Sequence, residues 1–458
     1  MKQSMARGSL ISLSIRMLDL PFRYGFHLLI AASLAVTDTG RFYIVFSFMT
    51  ALAGFGRLGV DQALTRQLAM DIACDRHETT RVSIWHALRL VLLASSVAAL
   101  LLAVGASYLA SEILNKPDLA FPLILGALTL IPQNVGAVFA GALAGLHRVG
   151  FSQAIYSWLW PAIFCLITLP AVITGTLTVN MTLILIAVSF MLAAVTGGLL
   201  LWHVLSKQPS TAQPGQSPPA LLRPGLSLFT LEINKLLLAT APAIVLGIYA
   251  TAHDVGLFAL AWRIALIVNL LISAVTAMAV PRFAALHAKG DRDGMEQNAA
   301  QAIGIVLCIA LPITICMLIF PQTLLSLFGE GYGDGATILR ILAIGQIAAV
   351  CFTALPELLG MTSHMGELSR LNAVTVTVML VGLAILVPLD SARGAALAIA
   401  LAVLLNGAIA TWQVQRLLGV RPHQRLWHTI GCRLLRSKTD AMVSAQDAHR
   451  VNRDRDMP

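Results

Sequence analysis

The chain has 458 residues, of which 57% are hydrophobic and 12% charged. Soluble domains carry about 25% charged residues, so a soluble protein is excluded, and apolar runs of 18 or more residues recur along the whole length. A β-barrel would show short alternating segments, and none occur, so the expected class is an all-α polytopic membrane protein.

The first apolar region holds "SIRMLDLPFR", residues 14–23. Arg16, Asp19 and Arg23 fall at i, i+3 and i+7, one stripe of a helix. Each charge inside a bilayer costs about 3 kcal/mol on insertion scales, so the stripe should face water or a ligand rather than lipid. No small-residue cleavage site follows, and the span is expected to stay in place as its own insertion signal. Hydropathy then predicts spans over 13–36, 42–63, 84–110, 120–146, 151–174, 179–204, 224–249, 256–280, 298–327, 335–361, 367–389 and 394–418. Pro21, Pro132, Pro161, Pro242, Pro312 and Pro356 fall inside them and predict kinks.

Basic residues fix the orientation. With the N-terminus inside, Lys2, Arg7, Arg66, Arg76, Arg81, Arg148, Lys207, Arg223, Arg282, Lys289, Arg292 and Arg370 are internal, while only Arg41, Lys116 and Arg393 are external. This bias predicts cytoplasmic termini and an even number of spans. It also accounts for much of the net charge of +9 without nucleic acid.

The stretch "SKQPSTAQPGQSPPALLRPG" has linker chemistry and divides the chain into two sets of six spans. The predicted organisation is a six-helix lobe over 1–204, a cytoplasmic linker over 205–223 and a second six-helix lobe over 224–418. A basic tail over 419–458 follows, with an amphipathic interfacial helix. A weak repeat agrees with two halves. Gly40 and Gly256 each open a span with Arg66 and Arg282 following 26 residues later, and Gly150 and Gly366 keep the same offset of 216. Parallel repeats would be related by a pseudo-two-fold along the membrane normal, a transporter arrangement.

Deeper charges complete the candidate site. Arg57 and Asp61 lie in the second span, Glu232 and Lys235 in the seventh, and Arg263 two turns into the eighth. Arg57–Asp61 and Glu232–Lys235 could be local helical pairs. The positive charges Arg16, Arg23, Arg57, Lys235 and Arg263 nevertheless exceed Asp19, Asp61 and Glu232. A cationic chamber for an anion follows, and the arginine fork suits phosphate. Arg89 and Arg340 lie near span ends and read as side chains reaching for headgroups. The six cysteines, Cys74, Cys165, Cys308, Cys316, Cys351 and Cys432, show no C-x-x-C or metal-ligand spacing. No P-loop occurs, so ATP is not expected to drive the chain directly, and with no metal-ligand cluster neither metal nor cofactor is expected.

Three stretches carry a resemblance. "GRFYIVFSFMTALAGFGRLGVDQALTRQLA", "GLFALAWRIALIVNLLISAVTAMAVPRFAALHAKGD" and "LLSLFGEGYGDGATILRILAIGQIAAVCFTALPELLGMTSH" resemble the polysaccharide-biosynthesis exporters, or oligosaccharide flippases. Their superfamily also contains the multidrug and toxin extrusion (MATE) transporters and the lipid II flippases. The resemblance implies a MATE-like fold of twelve transmembrane helices in two lobes with alternating access. It implies that Arg16, Arg23, Arg57 and Arg263 match diphosphate-binding arginines. The residues themselves add the expectation that Lys235 assists and that Asp19, Asp61 and Glu232 balance charge or couple an ion. The implied activity is flipping of a polyprenyl-diphosphate-linked oligosaccharide across a bacterial inner membrane, not an enzymatic reaction. Implied partners are that lipid-linked glycan, membrane lipids, and the glycan polymerase or glycosyltransferases of the same pathway. Two rivals remain at this point: a MATE-type drug–cation antiporter, and a membrane glycan polymerase or ligase.

Overall fold

A computed structural model describes residues 21–74, 79–207, 220–362, 364–420 and 425. Arg16, Asp19, most of the expected linker and nearly all of the basic tail lie outside them. Among the described residues the chain is helical, with no strand. This is the outcome a bilayer imposes, because every backbone polar group must be satisfied within its own segment.

The first helix, α1, covers residues 21–33 of the described chain. It is followed by α2 (Val36–Arg57), α3 (Val60–Ala73), α4 (Thr80–Tyr108) and α5 (Ala120–Gly145). Next come α6 (Leu159–Ile173), α7 (Val179–Ser206), α8 (Leu222–Tyr249), α9 (Ala252–Ala288) and α10 (Arg292–Ile319). The last are α11 (Ala336–Cys351), α12 (Leu355–Met361) and α13 (Met365–Leu418). Ten stretches among the described residues are long and apolar enough to cross a membrane. The 54-residue α13 is itself two spans, because Asp390 (φ −143°, ψ 34°) and Ser391 (φ 40°, ψ −123°) are non-helical. The twelve expected segments therefore each fall on helix, the first only in its described part.

Several boundaries differ from expectation. The second span is not one helix. Leu58 and Gly59 adopt left-handed backbone (φ 50° and 68°) and separate α2 from α3. Gly59 is required there, because a Cβ would lie 2.3 Å from the carbonyl oxygen of Gly225. Pro356 does not kink a continuous tenth span. It sits in the first turn of α12, after α11 has ended, a position where its missing N–H breaks no helical bond.

The chain groups into two compact units. The first takes its described residues from Met1–Ile264, Phe320–Leu342 and Val376–Ile399; the second takes Ala265–Ile319, Ala343–Thr375 and Ala400–Pro458. In the first unit α5 is central, packing against α3, α4 and α7, while α2 packs on α4, α5 and α8. Lipid is as apolar as leucine, so close backbone approach rather than hydrophobicity holds such helices together. Gly141 and Gly145 of α5 form that contact with α3. A Cβ on Gly141 would lie 2.6 Å from the Asp61 carbonyl oxygen, and Thr65 Oγ1 donates to the Gly141 carbonyl at 2.9 Å. In the second unit Asn298 donates to the Ala279 carbonyl at 3.2 Å and Asn406 to Thr375 Oγ1 at 2.6 Å.

Two features mark the end of the first unit that the charge bias assigns to the outside. Gly40 of α2 crosses Gly256 of α9 with no room for a side chain. A Cβ on Gly40 would lie 1.7 Å from the Ala252 carbonyl oxygen, and one on Gly256 would lie 2.1 Å from that of Val36. The contact is reciprocal, and both residue pairs keep the offset of 216 seen in the sequence. Two of the three basic residues of this end are held locally. Arg41 pairs with Asp38 at 2.9 Å and with Asp118. Lys116 Nζ donates to the carbonyls of Leu114 at 3.0 Å and Gly247 at 2.8 Å. Burial lowers the Lys116 pKa below the usual lysine value, partly offset by Asp118.

Candidate functional site

Within the first unit, α1, α2, α5, α6, α7 and α9 enclose a cavity of about 310 Å³. Three of the five cationic residues singled out from the sequence line it: Arg23 of α1, Arg57 of α2 and Arg263 of α9. No carboxylate is among its described lining residues. Each arginine arrives by a different route. Arg23 shares one face of α1 with His27, four residues on. Arg57 is the last residue of α2, at a helix C-terminus whose dipole favours a cation. Arg263 lies in the fourth turn of the long α9.

The direct partners of Arg57 and Arg263 are aromatic, and Asp61 and Glu232 lie near enough to Arg57 to act on it electrostatically without bonding to it. Arg57 Nη1 donates to the Tyr156 hydroxyl at 3.0 Å, and its guanidinium lies 5.9 Å from that ring's centroid. Tyr156 is delivered by a single π-helical turn, Ala154–Trp158, at the start of the fifth span. Such turns insert one extra residue and re-aim side chains. The Arg263 guanidinium lies 5.4 Å from the centroid of the buried Tyr43 ring, and the Tyr43 hydroxyl shares a 2.9 Å hydrogen bond with His27 Nδ1. Cation–π contacts hold a guanidinium without neutralising it. The Nε of Arg263 is buried with no hydrogen-bond partner among the described residues, and so is Oε1 of Gln133 on the same cavity wall. A buried orphan donor costs about 1–3 kcal/mol, and one on a charged group more. The cavity thus presents positive charge to whatever enters it.

The other sequence candidates lie elsewhere. Asp61 is buried, 8% exposed, in the first turn of α3, where backbone N–H groups face its carboxylate. It forms no ion pair with Arg57 among the described residues, because the Leu58–Gly59 break removes the helical i,i+4 geometry. Lys235 is exposed and Glu232 only half-buried. They form no ion pair with each other, and neither lines the cavity. Arg16 and Asp19 are outside the described residues. Sequence reasoning missed His27, Tyr43, Tyr156 and Gln133. His27 could have been found, since it continues the stripe of Arg16 and Arg23 at i+11 and i+4. No local signal marks the other three. Among the described residues no group of three or more His, Cys, Asp or Glu side chains could hold a metal ion.

Comparison with known proteins places this geometry in context. A family model described as polysaccharide biosynthesis protein matches residues 5–287, and one described as MatE matches residues 236–386. Among curated proteins, the probable low-salt glycan biosynthesis flippase Agl15 of Haloferax volcanii is 24% identical over 163 residues, 35% of this chain. The alignment spans only about a third of that relative, 34% of its length. Among solved structures, an inward-facing multidrug resistance MATE family transporter of the MOP superfamily superposes with a TM-score of 0.71. It is 16% identical, and the match covers 90% of this chain and 98% of that one. The lipid II flippase MurJ in an inward closed conformation gives a TM-score of 0.64 at 12% identity, covering 90% and 87%. These identities establish a shared fold. The match of the first family model extends over more than half of the chain, and the protein therefore belongs to the polysaccharide biosynthesis protein family.

Proposed function

We propose that this protein is a transporter that flips a polyprenyl-diphosphate-linked oligosaccharide across a bacterial inner membrane. The observation that carries the reading is the convergence of Arg23, Arg57 and Arg263 on a cavity whose described lining holds no carboxylate. A diphosphate entering the cavity meets positive charge from three helices, and guanidinium–phosphate bonds are the strong, geometrically matched kind. Arg16, seven residues before Arg23 in the sequence, is proposed to assist. The glycan occupies the wet cavity, the prenyl chain stays in lipid, and the lobes 1–204 and 224–418 rock to expose the site to the opposite side. Both termini are cytoplasmic in this reading. No covalent bond is made or broken, so the partners are substrate and lipid, with the polymerase or glycosyltransferases of the pathway acting before and after. Asp19, Asp61 and Glu232 balance the positive charge, and Asp19 either couples an ion or orients the neighbouring arginines.

The test is Arg23→Gln, Arg57→Gln and Arg263→Gln, each assayed for membrane insertion, surface glycan and flipping in proteoliposomes. Charge-assisted hydrogen bonds contribute about 1.5–3 kcal/mol each, so every variant should lose about ten- to a hundredfold in flipping with insertion unchanged. Normal flipping by all three would overturn the reading. Efflux of cationic drugs by the wild type, with no effect on surface glycan, would also overturn it, in favour of an antiporter. Asp19→Asn should lose ion-gradient dependence; retention of that dependence would remove the coupling role.

A further inference from the structure

A second polar surface lies away from the cavity, at the end of α4 that the charge bias assigns to the cytoplasm. Arg81, His86 and Arg89 of α4 line an open groove of about 450 Å³ together with Trp85. A neighbouring groove of about 380 Å³ shares Arg81 and Trp85 but is otherwise mainly apolar, with Leu88 of α4, Phe139 of α5 and Leu201 and Trp202 of α7 on its walls. Gly198 leaves it open on the α7 side, since a Cβ there would press on the Phe139 ring at 3.2 Å. Neither groove has a carboxylate among its described lining residues.

The two grooves together form an amphipathic site. Trp85 and Trp202 are 61% and 71% exposed, as indoles at a membrane–water boundary are. Arg81 Nη2 donates to the Leu205 carbonyl at 3.1 Å, which ties the start of α4 to the last turn of α7. Arg89 lies eight residues, about 12 Å, further along the helix. A charge at that depth is tolerated only where it reaches a headgroup or water. The basic groove runs directly into the apolar one, so a single molecule with an anionic head and a hydrocarbon chain fits both.

We propose that this is a binding site for an anionic phospholipid of the cytoplasmic leaflet. Its headgroup rests against Arg81, His86 and Arg89, and one acyl chain lies in the groove between α4, α5 and α7. Basic pockets between spanning helices on the cytoplasmic side select such headgroups by charge, whereas a zwitterionic lipid gains little there. The site lies apart from the arginine cavity, so failure of the cargo reading would leave it standing.

The test uses the full-length protein purified in neutral detergent, titrated with phosphatidylglycerol or phosphatidylcholine carrying the same brominated acyl chains. Quenching of tryptophan fluorescence reports the bound chain. Saturable quenching is expected with the anionic lipid at concentrations where the zwitterionic lipid has little effect, and it should disappear in the double variant Trp85→Phe, Trp202→Phe. Arg89→Gln with His86→Gln should weaken anionic-lipid binding at least about fivefold, matching ~1 kcal/mol per basic side chain at an anionic surface. Arg81 is left in place because it bonds to Leu205. Equal quenching of the wild type by both lipids would overturn the proposal whether or not the variants fold. So would unchanged affinity in a folded Arg89→Gln, His86→Gln variant.

Discussion

Replacing Gly40 by alanine tests how tightly the first unit is closed at the end that the charge bias assigns to the outside. The added Cβ would sit 1.7 Å from the Ala252 carbonyl oxygen, 2.7 Å from its carbon and 2.8 Å from the Gly256 nitrogen. All three are backbone atoms, so no side chain can turn away. Real Cβ contacts essentially never fall below 3.0 Å, so α2 and α9 must part by more than 1 Å. The Tyr332 hydroxyl, which donates to Thr39 Oγ1 at 2.8 Å beside the crossing, would be pulled with them. Overpacking of this kind costs about 1–3 kcal/mol. In a carrier with two states the cost falls on the state closed at this end, a shift of about 5- to 150-fold towards the other. The assay is a cysteine at Thr50, inside the cavity, in a background freed of native cysteines, labelled from outside with a membrane-impermeant thiol reagent. Gly40→Ala should speed labelling by a factor in that range and lower the melting temperature. Gly256→Ala should do the same, and the double variant should add little, because both act on one contact. Wild-type labelling and melting in Gly40→Ala would refute the argument.

Two further outcomes are expected. Tyr43→Phe removes the hydrogen bond to His27 but keeps the ring beneath Arg263, so flipping should survive while stability falls by about 1 kcal/mol; loss of flipping with unchanged melting would mean the hydroxyl touches the cargo. Lys116→Met removes the two carbonyl bonds to Leu114 and Gly247, and should lower thermal stability by about 1–2 kcal/mol without changing substrate affinity; an unchanged melt would show that the lysine holds nothing.

Much of the fold was legible because a bilayer leaves few choices. An apolar run of sufficient length must be helix, and the predicted spans fall on helices. The breaks were not legible, because they are made by distant partners. Leu58 and Gly59 turn left-handed where Gly225 of α8 presses against them, and nothing within the second span announces that contact. The arginine trio was legible for an energetic reason: a charge is too costly in lipid to be placed there idly. The same reasoning selected Lys235, whose side chain is exposed away from the cavity, because cost alone does not say which face of a helix turns inward. Tyr156 was invisible because the π-helical turn that aims it has no sequence signature. The offset of 216 had little weight as a pattern of glycines. It gains a physical cause once Gly40 and Gly256 are seen to occupy each other's missing side-chain space.

The turn inside α13 has a consequence for how force passes through the chain. Only Asp390 and Ser391 leave the helical conformation, and Gly394 packs so closely under Leu386 that a Cβ would lie 2.0 Å from its carbonyl oxygen. With so little slack, the two arms cannot slide past one another next to this turn, and a tilt of one there is passed to the other as by a short lever. A tag or protease site inserted between residues 390 and 391 would uncouple that lever.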